Sequence, residues 1–447
     1  MLLTKSEKRN KLNHIPGNFG LPFVGNSPEI LKDDLQFLRS SYEKYGSVFK
    51  RQAFGNIGIT LLGEEANKFV LQDKDKLFSN EKGWRPFFGK LFARGILLMD
   101  GDEHQHDRKL LQTAFTPSSI KEYIGHINQH VTNFSAKLST QSTLHLDSEI
   151  KQLMLEQAVS IFLGEKIGTH SAAIATAYTH MLQANTGLIH LPIPGTQYYR
   201  GIKARKVVLD YIQSQIALKQ ASKGTDTLSL LCQSTSQKGS PYSDIEIIDH
   251  IVMLIMVAHD TATNAISSIL GLLAKHTDWQ SKLRDECLSL SSDQLLFDDL
   301  AELEKMTLVI KETLRLYPPV ISIPRFVETS FEYDGHHIPA GTNISVVPLF
   351  TQRHSNYWKN PDNFDPERFS ATREEDKLHP FSYVPFGYGH HSCLGRFLSN
   401  VQIKALLYNL LRNFEWSLPA GEELKFKYIP GCRPSEETKL KFKPISR

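Results

Sequence analysis

Long apolar runs are missing from this sequence. No stretch reaches the roughly 20 uninterrupted apolar residues that a membrane-spanning helix requires. The segment Met1 to His14 carries Lys5, Lys8, Arg9 and Lys11 with no apolar stretch behind them, so it reads as neither a signal peptide nor an anchor. Cysteine is scarce. The four residues, Cys232, Cys287, Cys393 and Cys432, form no Cys-x-x-Cys pair and no disulfide-like spacing, which suits a reducing compartment. Neither sign of charge dominates: 51 basic residues face 48 acidic ones, a formal net charge of +3 that sets up no field for nucleic acid or an anionic membrane. Internal repeats, low-complexity blocks and clear linkers are also missing. The expectation is a soluble cytoplasmic protein, a single domain over 1–447 with residues 1–13 as a flexible N-terminal arm.

What is present is patterned. The first 40 residues are rich in Pro and Gly (Pro16-Gly17, Phe19-Gly20-Leu21-Pro22, Gly25) and read as an extended, turn-rich entry. Val48–Phe54 and Ile57–Leu62 flank Gly55-Asn56, a hairpin signal. From about 100 to 320 the pattern is mostly helical, with loops at Leu191–Gly195 and Lys238–Pro241. Around 326–347, strand-like runs are cut by Asp334-Gly335 and Pro339-Ala340-Gly341. A helix of about 396–412, read as amphipathic, follows Gly395. A mainly α fold results, with a large helical region and a smaller β-rich region.

The densest chemical signal is Phe386-Gly387-Tyr388-Gly389-His390-His391-Ser392-Cys393-Leu394-Gly395. Glycines at alternate positions allow a tight turn that brings backbone N–H groups close to a sulfur. A helix start just beyond Cys393 favours a thiolate through its free N–H groups and dipole. Two plainer readings stand beside this one. A lone cysteine is usually a small buried hydrophobe. A zinc site could use His390 or His391 with Cys393, but no four-ligand set with zinc spacing accompanies it.

These ten residues resemble the cysteine-ligand signature of the cytochrome P-450 family, Phe-x-x-Gly-x-Arg/His-x-Cys-x-Gly. The resemblance implies that Cys393 is the proximal ligand of a haem b iron, its thiolate pushing electron density that favours O–O cleavage. Phe386, Gly387 and Gly395 would flank the haem. His391 stands where an Arg more often meets a propionate, a weaker partner when the imidazole is neutral.

Three distant features agree. Glu312-x-x-Arg315 shares one helix face, and Arg368, in Pro366-Glu367-Arg368-Phe369, matches the arginine that closes the family's buried network behind the cysteine loop. On a helix of about 244–275, opened by a Ser243/Glu246 capping box, an apolar run leads to Val257-Ala258-His259-Asp260-Thr261. The resemblance makes Asp260 and Thr261 the proton-delivering pair and puts Ala258 beside the haem. Val257 and Ala258 depart from the usual Ala/Gly-Gly. His104-x-x-x-Arg108 shares a face and would reach a propionate, as would Arg325. The resemblance runs from about Pro16 to the C-terminus.

The implied reaction is hydroxylation or epoxidation of a hydrophobic small molecule, with two electrons from a separate donor, a ferredoxin or flavodoxin with its reductase. Arg396 and Lys404 are candidate basic contacts for such a donor. Substrate walls would come from the loop Trp84–Phe92 (Trp84, Phe87, Phe88, Leu91, Phe92), from Val257 and Ala258, and from Val320 and Ile321. The Pro-Gly-rich entry and the Ala-His-Asp-Thr helix look most like a cyanobacterial branch related to retinoic acid hydroxylases. That points to a retinoid, isoprenoid or fatty acid, with Lys82, Arg85 or Arg94 to meet a carboxylate. A monomer is expected. Rival functions are a haem-thiolate peroxygenase or hydroperoxide isomerase, a non-catalytic haem-binding protein, and a zinc-stabilised interaction protein. The first two would not need an Asp-Thr pair.

Overall fold

A computed structural model describes residues 4–88, 92, 94–164, 169–186, 191–221 and 224–445. The chain forms two compact units. The first comprises Met1–Pro86, Leu308–Cys393 and Phe426–Arg433; the second comprises Phe87–Thr307, Leu394–Lys425 and Pro434–Arg447.

The first unit is built on a five-stranded sheet in the order Val48–Ala53, Asn56–Leu61, Asn343–Val346, Ile323–Val327, Phe78–Ser79. The expected hairpin is its first pair, but its two-residue turn is Phe54-Gly55, one residue before the expected Gly55-Asn56, with Ala53 opposite Asn56. Phe54 and Gly55 both have positive φ, +49° and +79°, the primed turn whose twist matches the flanking strands. Asn343–Val346 joins parallel to the hairpin and antiparallel to Ile323–Val327. The sheet buries Val48, Ile59, Leu61, Ile344, Val346 and Val327 against Ala66 and Val70 of the helix Glu64–Gln72.

The N-terminus differs from the flexible arm expected of residues 1–13. Lys5–Lys11 is a helix whose capping box joins Thr4 and Glu7. Leu12 and Ile15 are buried in the sheet's core, and Arg9 Nη2 donates to Gln52 Oε1 at 2.6 Å. The polar composition of the segment hid these anchors.

In the second unit, the long helix Asp244–Lys275 begins at the capping box of Ser243 and Glu246. It packs along the helix Leu146–Leu163. Thr143–His145, Lys439–Pro444 and Phe414–Ser417 form an antiparallel sheet. Arg396–Asn413 is a helix at the expected place, but it is not amphipathic: Leu398, Val401 to Tyr408, Leu410 and Leu411 are buried. Lys404 is therefore inside, donating to the carbonyls of Leu300 (2.7 Å) and Leu303 (3.2 Å), with burial pushing its pKa down. The expectation that it meets a redox partner is overturned. Arg396 is exposed. No helix among the described residues is long and apolar enough to cross a membrane.

A pH dependence follows from His130, 3% exposed, whose pKa burial lowers from 6.5 to about 4. The folded state then binds fewer protons than the unfolded state between those values. Its contribution to stability is fully present above the unfolded pKa and is lost as pH falls towards the folded one, roughly 3 kcal/mol. Unfolding free energy measured by urea between pH 7 and 4 should fall, and His130→Gln should flatten that slope. An unchanged slope in the variant would count against the assignment.

Candidate functional site

Cys393 is the exposed thiol among the four free cysteines; Cys287 and Cys432 are buried and Cys232 is half-buried. Burial pushes the Cys232 thiol up to about 11 and the Cys287 thiol up to about 12. The loop that presents Cys393 is tight. Gly387 and Gly389 have φ of +64° and +71°, and a Cβ on Gly389 would lie 2.5 Å from the Leu71 carbonyl oxygen. The Gly387 N–H donates to Val384 O at 3.0 Å, and the Cys393 N–H donates to Phe386 O at 2.9 Å, closing the loop on itself. Phe386, Gly387 and His391 are half-buried. His391 ends a 3-10 turn, Gly389–His391. The helix Arg396–Asn413 starts just beyond, with Gly395 at its N-cap and no side chain capping its first N–H groups. The zinc alternative gains nothing here: among the described residues no three His, Cys, Asp or Glu gather in a way that could hold a metal ion.

Behind the loop lies the network the sequence anticipated. Glu312 and Arg315 are 0% exposed and Arg368 is 1% exposed at their side chains. Arg315 makes a forked pair with Glu312, Nε to Oε2 at 2.7 Å and Nη2 to Oε1 at 2.8 Å. Arg368 Nε donates to Glu312 Oε1 at 3.3 Å. Both guanidinium groups also donate to carbonyls: Arg315 to Gln352 and Pro361, Arg368 to Lys359 and Asn360. Every charge is paired and hydrogen-bonded, the condition for tolerating charge in a dry interior.

Two members of this region escaped the sequence reading. Glu375 pairs with Arg368 Nη1 at 3.0 Å. Gln352, fully buried, ties the network to the cysteine loop. Its Nε2 donates to Leu314 O (2.9 Å) and Arg315 O (3.1 Å), and its Oε1 accepts from the Val384 N–H at 3.1 Å. Neither residue sits in a recognisable motif; only chain folding makes them neighbours. Gln352→Leu should strand an N–H and two carbonyls in the interior and lower unfolding free energy by about 1–3 kcal/mol. Urea denaturation followed by circular dichroism measures this, and a change within error would show that Gln352 does not brace the loop.

Arg325, 5% exposed, is on the strand Ile323–Val327, with Nη1 donating to Pro324 O at 2.9 Å. In the second unit, His104 is 2% exposed and Arg108 half-buried, one turn apart on the helix Gly101–Gln112. The long helix shows where it opens. From His250 to Ala274 every residue is buried except Val257, Ala258, Asp260 and Thr261. Positions 257, 260 and 261 stand at i, i+3 and i+4, so the opening is one face, about a turn long. Between them, His259 is fully buried, its Nδ1 donating to Met256 O at 3.3 Å, and burial holds its pKa well below that of an ordinary imidazole. The Thr261 hydroxyl donates to Val257 O at 2.9 Å.

The expected substrate walls fare less evenly. Trp84 and Val320 are partly buried against the sheet's core, and Ile321 packs with Leu35, Leu38 and Phe350 in a second core cluster. Ile321 is thus core packing, not pocket lining. The expected loop Trp84–Phe92 begins instead as a helix, Asn80–Phe88. Phe87 is 44% exposed, Phe88 meets the buried Phe92 edge to face, and Leu91 lies outside the described residues. The three proposed carboxylate partners already have acids: Lys82 with Glu328, Arg85 with Glu81 and Arg94 with Glu103.

The model of the cytochrome P450 family matches residues 15–442. A putative cytochrome P450 136 of Mycobacterium tuberculosis is 31% identical over 412 residues, 91% of this chain and 84% of that protein. A putative cytochrome P450 120 of Synechocystis is 27% identical over 447 residues, covering 98% and 99%. A solved structure described as retinoic acid bound cyanobacterial CYP120A1 aligns with a TM-score of 0.88 at 26% identity, covering 96% of this chain and 99% of that one. The helical region with its smaller sheets is accordingly the cytochrome P450 fold, and the family brings with it a haem iron, a redox partner and a small hydrophobic substrate. By a family match that takes in nearly every described residue, this chain belongs to the cytochrome P450 family and is a monooxygenase.

Proposed function

We propose that this monooxygenase hydroxylates or epoxidises an isoprenoid-type lipid, a retinoid above all, with haem b held through Cys393 and electrons supplied by a ferredoxin or flavodoxin with its reductase. The observation that carries the reading is the opening of the long helix at Val257, Ala258, Asp260 and Thr261, a polar pair beside two small apolar walls on an otherwise buried element. The retinoic acid of the cyanobacterial structure supports the substrate class.

The residues present fit a haem. Cys393 is the exposed thiol, on a loop that leaves no room for a Cβ at Gly389. Phe386, Gly387 and Gly395 flank it in sequence, and Ala258 is a small side chain on the long helix. His104, Arg108, Arg325 and His391 are the donors we assign to the propionates. When bound, the haem supplies oxygen activation: one oxygen atom enters the substrate and the other leaves as water, consuming two electrons and two protons.

The chain's own part is to exclude water and move those protons. The Asp260 carboxyl would exchange protons with water and pass them on, the work of a general acid–base group. The Thr261 hydroxyl donates to Val257 O and therefore presents its oxygen lone pairs to an incoming water. Val257 and Ala258 add methyl groups to the same face, an apolar surface that would keep bulk water from the polar pair. With Lys82, Arg85 and Arg94 all paired, a substrate carboxylate would have to compete with an acid for any of them. Affinity then rests mainly on the apolar body of the ligand.

Asp260→Asn is expected to slow product formation about 10²-fold, the low end for loss of a general acid–base group. Haem content and the reduced carbon-monoxide spectrum should be unchanged. Titrations with retinoic acid, a fatty acid and a terpenoid acid, read by the Soret shift, test the substrate class. Turnover driven by peroxide alone, and insensitive to Asp260→Asn, would instead favour the peroxygenase reading.

A further inference from the structure

Asp107 lies on the helix Gly101–Gln112 between His104 and Arg108, outside the His104-x-x-x-Arg108 pattern itself. It is 3% exposed, and both carboxylate oxygens are occupied. The Tyr242 hydroxyl donates to Oδ1 at 2.5 Å, and His250 Nε2 donates to Oδ2 at 3.0 Å. Tyr242 and His250 are themselves 6% and 3% exposed, and their rings meet edge to face at 6.0 Å. Burial works to raise the Asp107 pKa, but the two bonds outweigh it and hold the carboxyl below its usual range. Asp107 is therefore ionised, and His250 Nε2 must carry the proton it donates. The His250 Nδ1 has no hydrogen-bond partner.

Three pieces of chain meet at this carboxylate: the helix Gly101–Gln112, the segment leading to Tyr242, and the long helix that bears His250 and, ten residues on, Asp260. A second tie joins the first two, His106 Nε2 to Thr235 O at 2.9 Å. Around the short helix, Asp107 and Arg108 flank His104, separated by about 100°. Turning this helix by one residue would pull an ionised carboxylate from both donors while it stayed buried, which is strongly unfavourable. The rotational setting of the helix is thus keyed by Asp107, and with it the direction in which His104 and Arg108 are presented.

We infer that Asp107, gripped by Tyr242 and His250, is a positioning residue for the haem, fixing the helix that offers His104 and Arg108 to the propionates. This rests on the propionate role assigned to those two residues. It assigns Asp107 no contact with haem or substrate.

The test is a double-mutant cycle read as the rate of haem transfer from the ferric holoprotein to excess apomyoglobin. Asp107→Asn should speed haem loss about tenfold in the native background, the scale of one charged hydrogen bond. In an Arg108→Gln background it should speed loss several-fold less than in the native background, because one of the two residues it positions is gone. Equal acceleration in both backgrounds, tracking a fall in the urea midpoint of the apoprotein, would mean Asp107 is only a stability residue and would overturn the inference. No acceleration by Arg108→Gln alone would instead remove the propionate reading, and the inference with it. If Asp107→Asn does not fold, Tyr242→Phe, which keeps the His250 bond, carries the same cycle with the same two outcomes.

Discussion

Cys393→Ser is expected to abolish the band near ~450 nm of the reduced carbon-monoxide complex, a signature that requires thiolate ligation, and to bring turnover below detection. A serine hydroxyl keeps its proton at neutral pH and is a poor electron donor to iron. No other cysteine can stand in. Cys287 and Cys432 are buried, and Cys232 is half-buried with its thiol pushed up to about 11. The fold should survive, because Cys393 is exposed and its N–H bond to Phe386 O belongs to the backbone. Reduced carbon-monoxide difference spectra of both proteins, with haem content measured separately, make the comparison. A variant that kept the band would move the ligand to another residue and undo the proposed site.

Arg368→Ala should be the most damaging change to stability. It leaves Glu312 short of one donor, Glu375 without its buried cation, and the Lys359 carbonyl without the Arg368 donor. Breaking a buried pair from one side costs about 3–5 kcal/mol, a large part of the 5–15 kcal/mol that holds a typical domain together. Arg368→Lys should rescue little, since an ammonium on a shorter stem cannot reproduce the guanidinium fork. Glu375→Gln should be milder, because its side chain is 13% exposed and water can replace part of what is lost. Urea unfolding of the three variants ranks them. A loss below about 1 kcal/mol for Arg368→Ala, the size of a surface ion pair, would show that the network is ornamental to the fold.

The network also shows how sequence and structure divide the information. Glu312 and Arg315 are legible because an i, i+3 pair is a local pattern, and Arg368 because it stands in a short Pro-Glu-Arg-Phe segment. Glu375 and Gln352 are not, since neither a lone acid nor a lone amide carries a signal until the chain brings it beside its partner. Lys404 illustrates the converse. A lysine on a helix after a glycine looks like a surface charge, and only the packing of that helix on all sides buries it against two carbonyls. Ile321 makes the same point: an apolar side chain announces that it will be covered, not by what, and here the cover is Leu35, Leu38 and Phe350.

What the sequence determined by itself is whatever is written in neighbouring residues. The primed turn at Phe54-Gly55, the capping box that starts the long helix at Ser243, the glycine turn around Cys393 and the four-residue face at Val257 to Thr261 all arise from local backbone and spacing rules. What only the tertiary structure decided is which polar groups share a dry interior. The Gln352 brace and the Tyr242–Asp107–His250 grip join residues far apart in the chain, and their energies come from desolvation, a property of the folded surroundings that no single stretch of sequence contains.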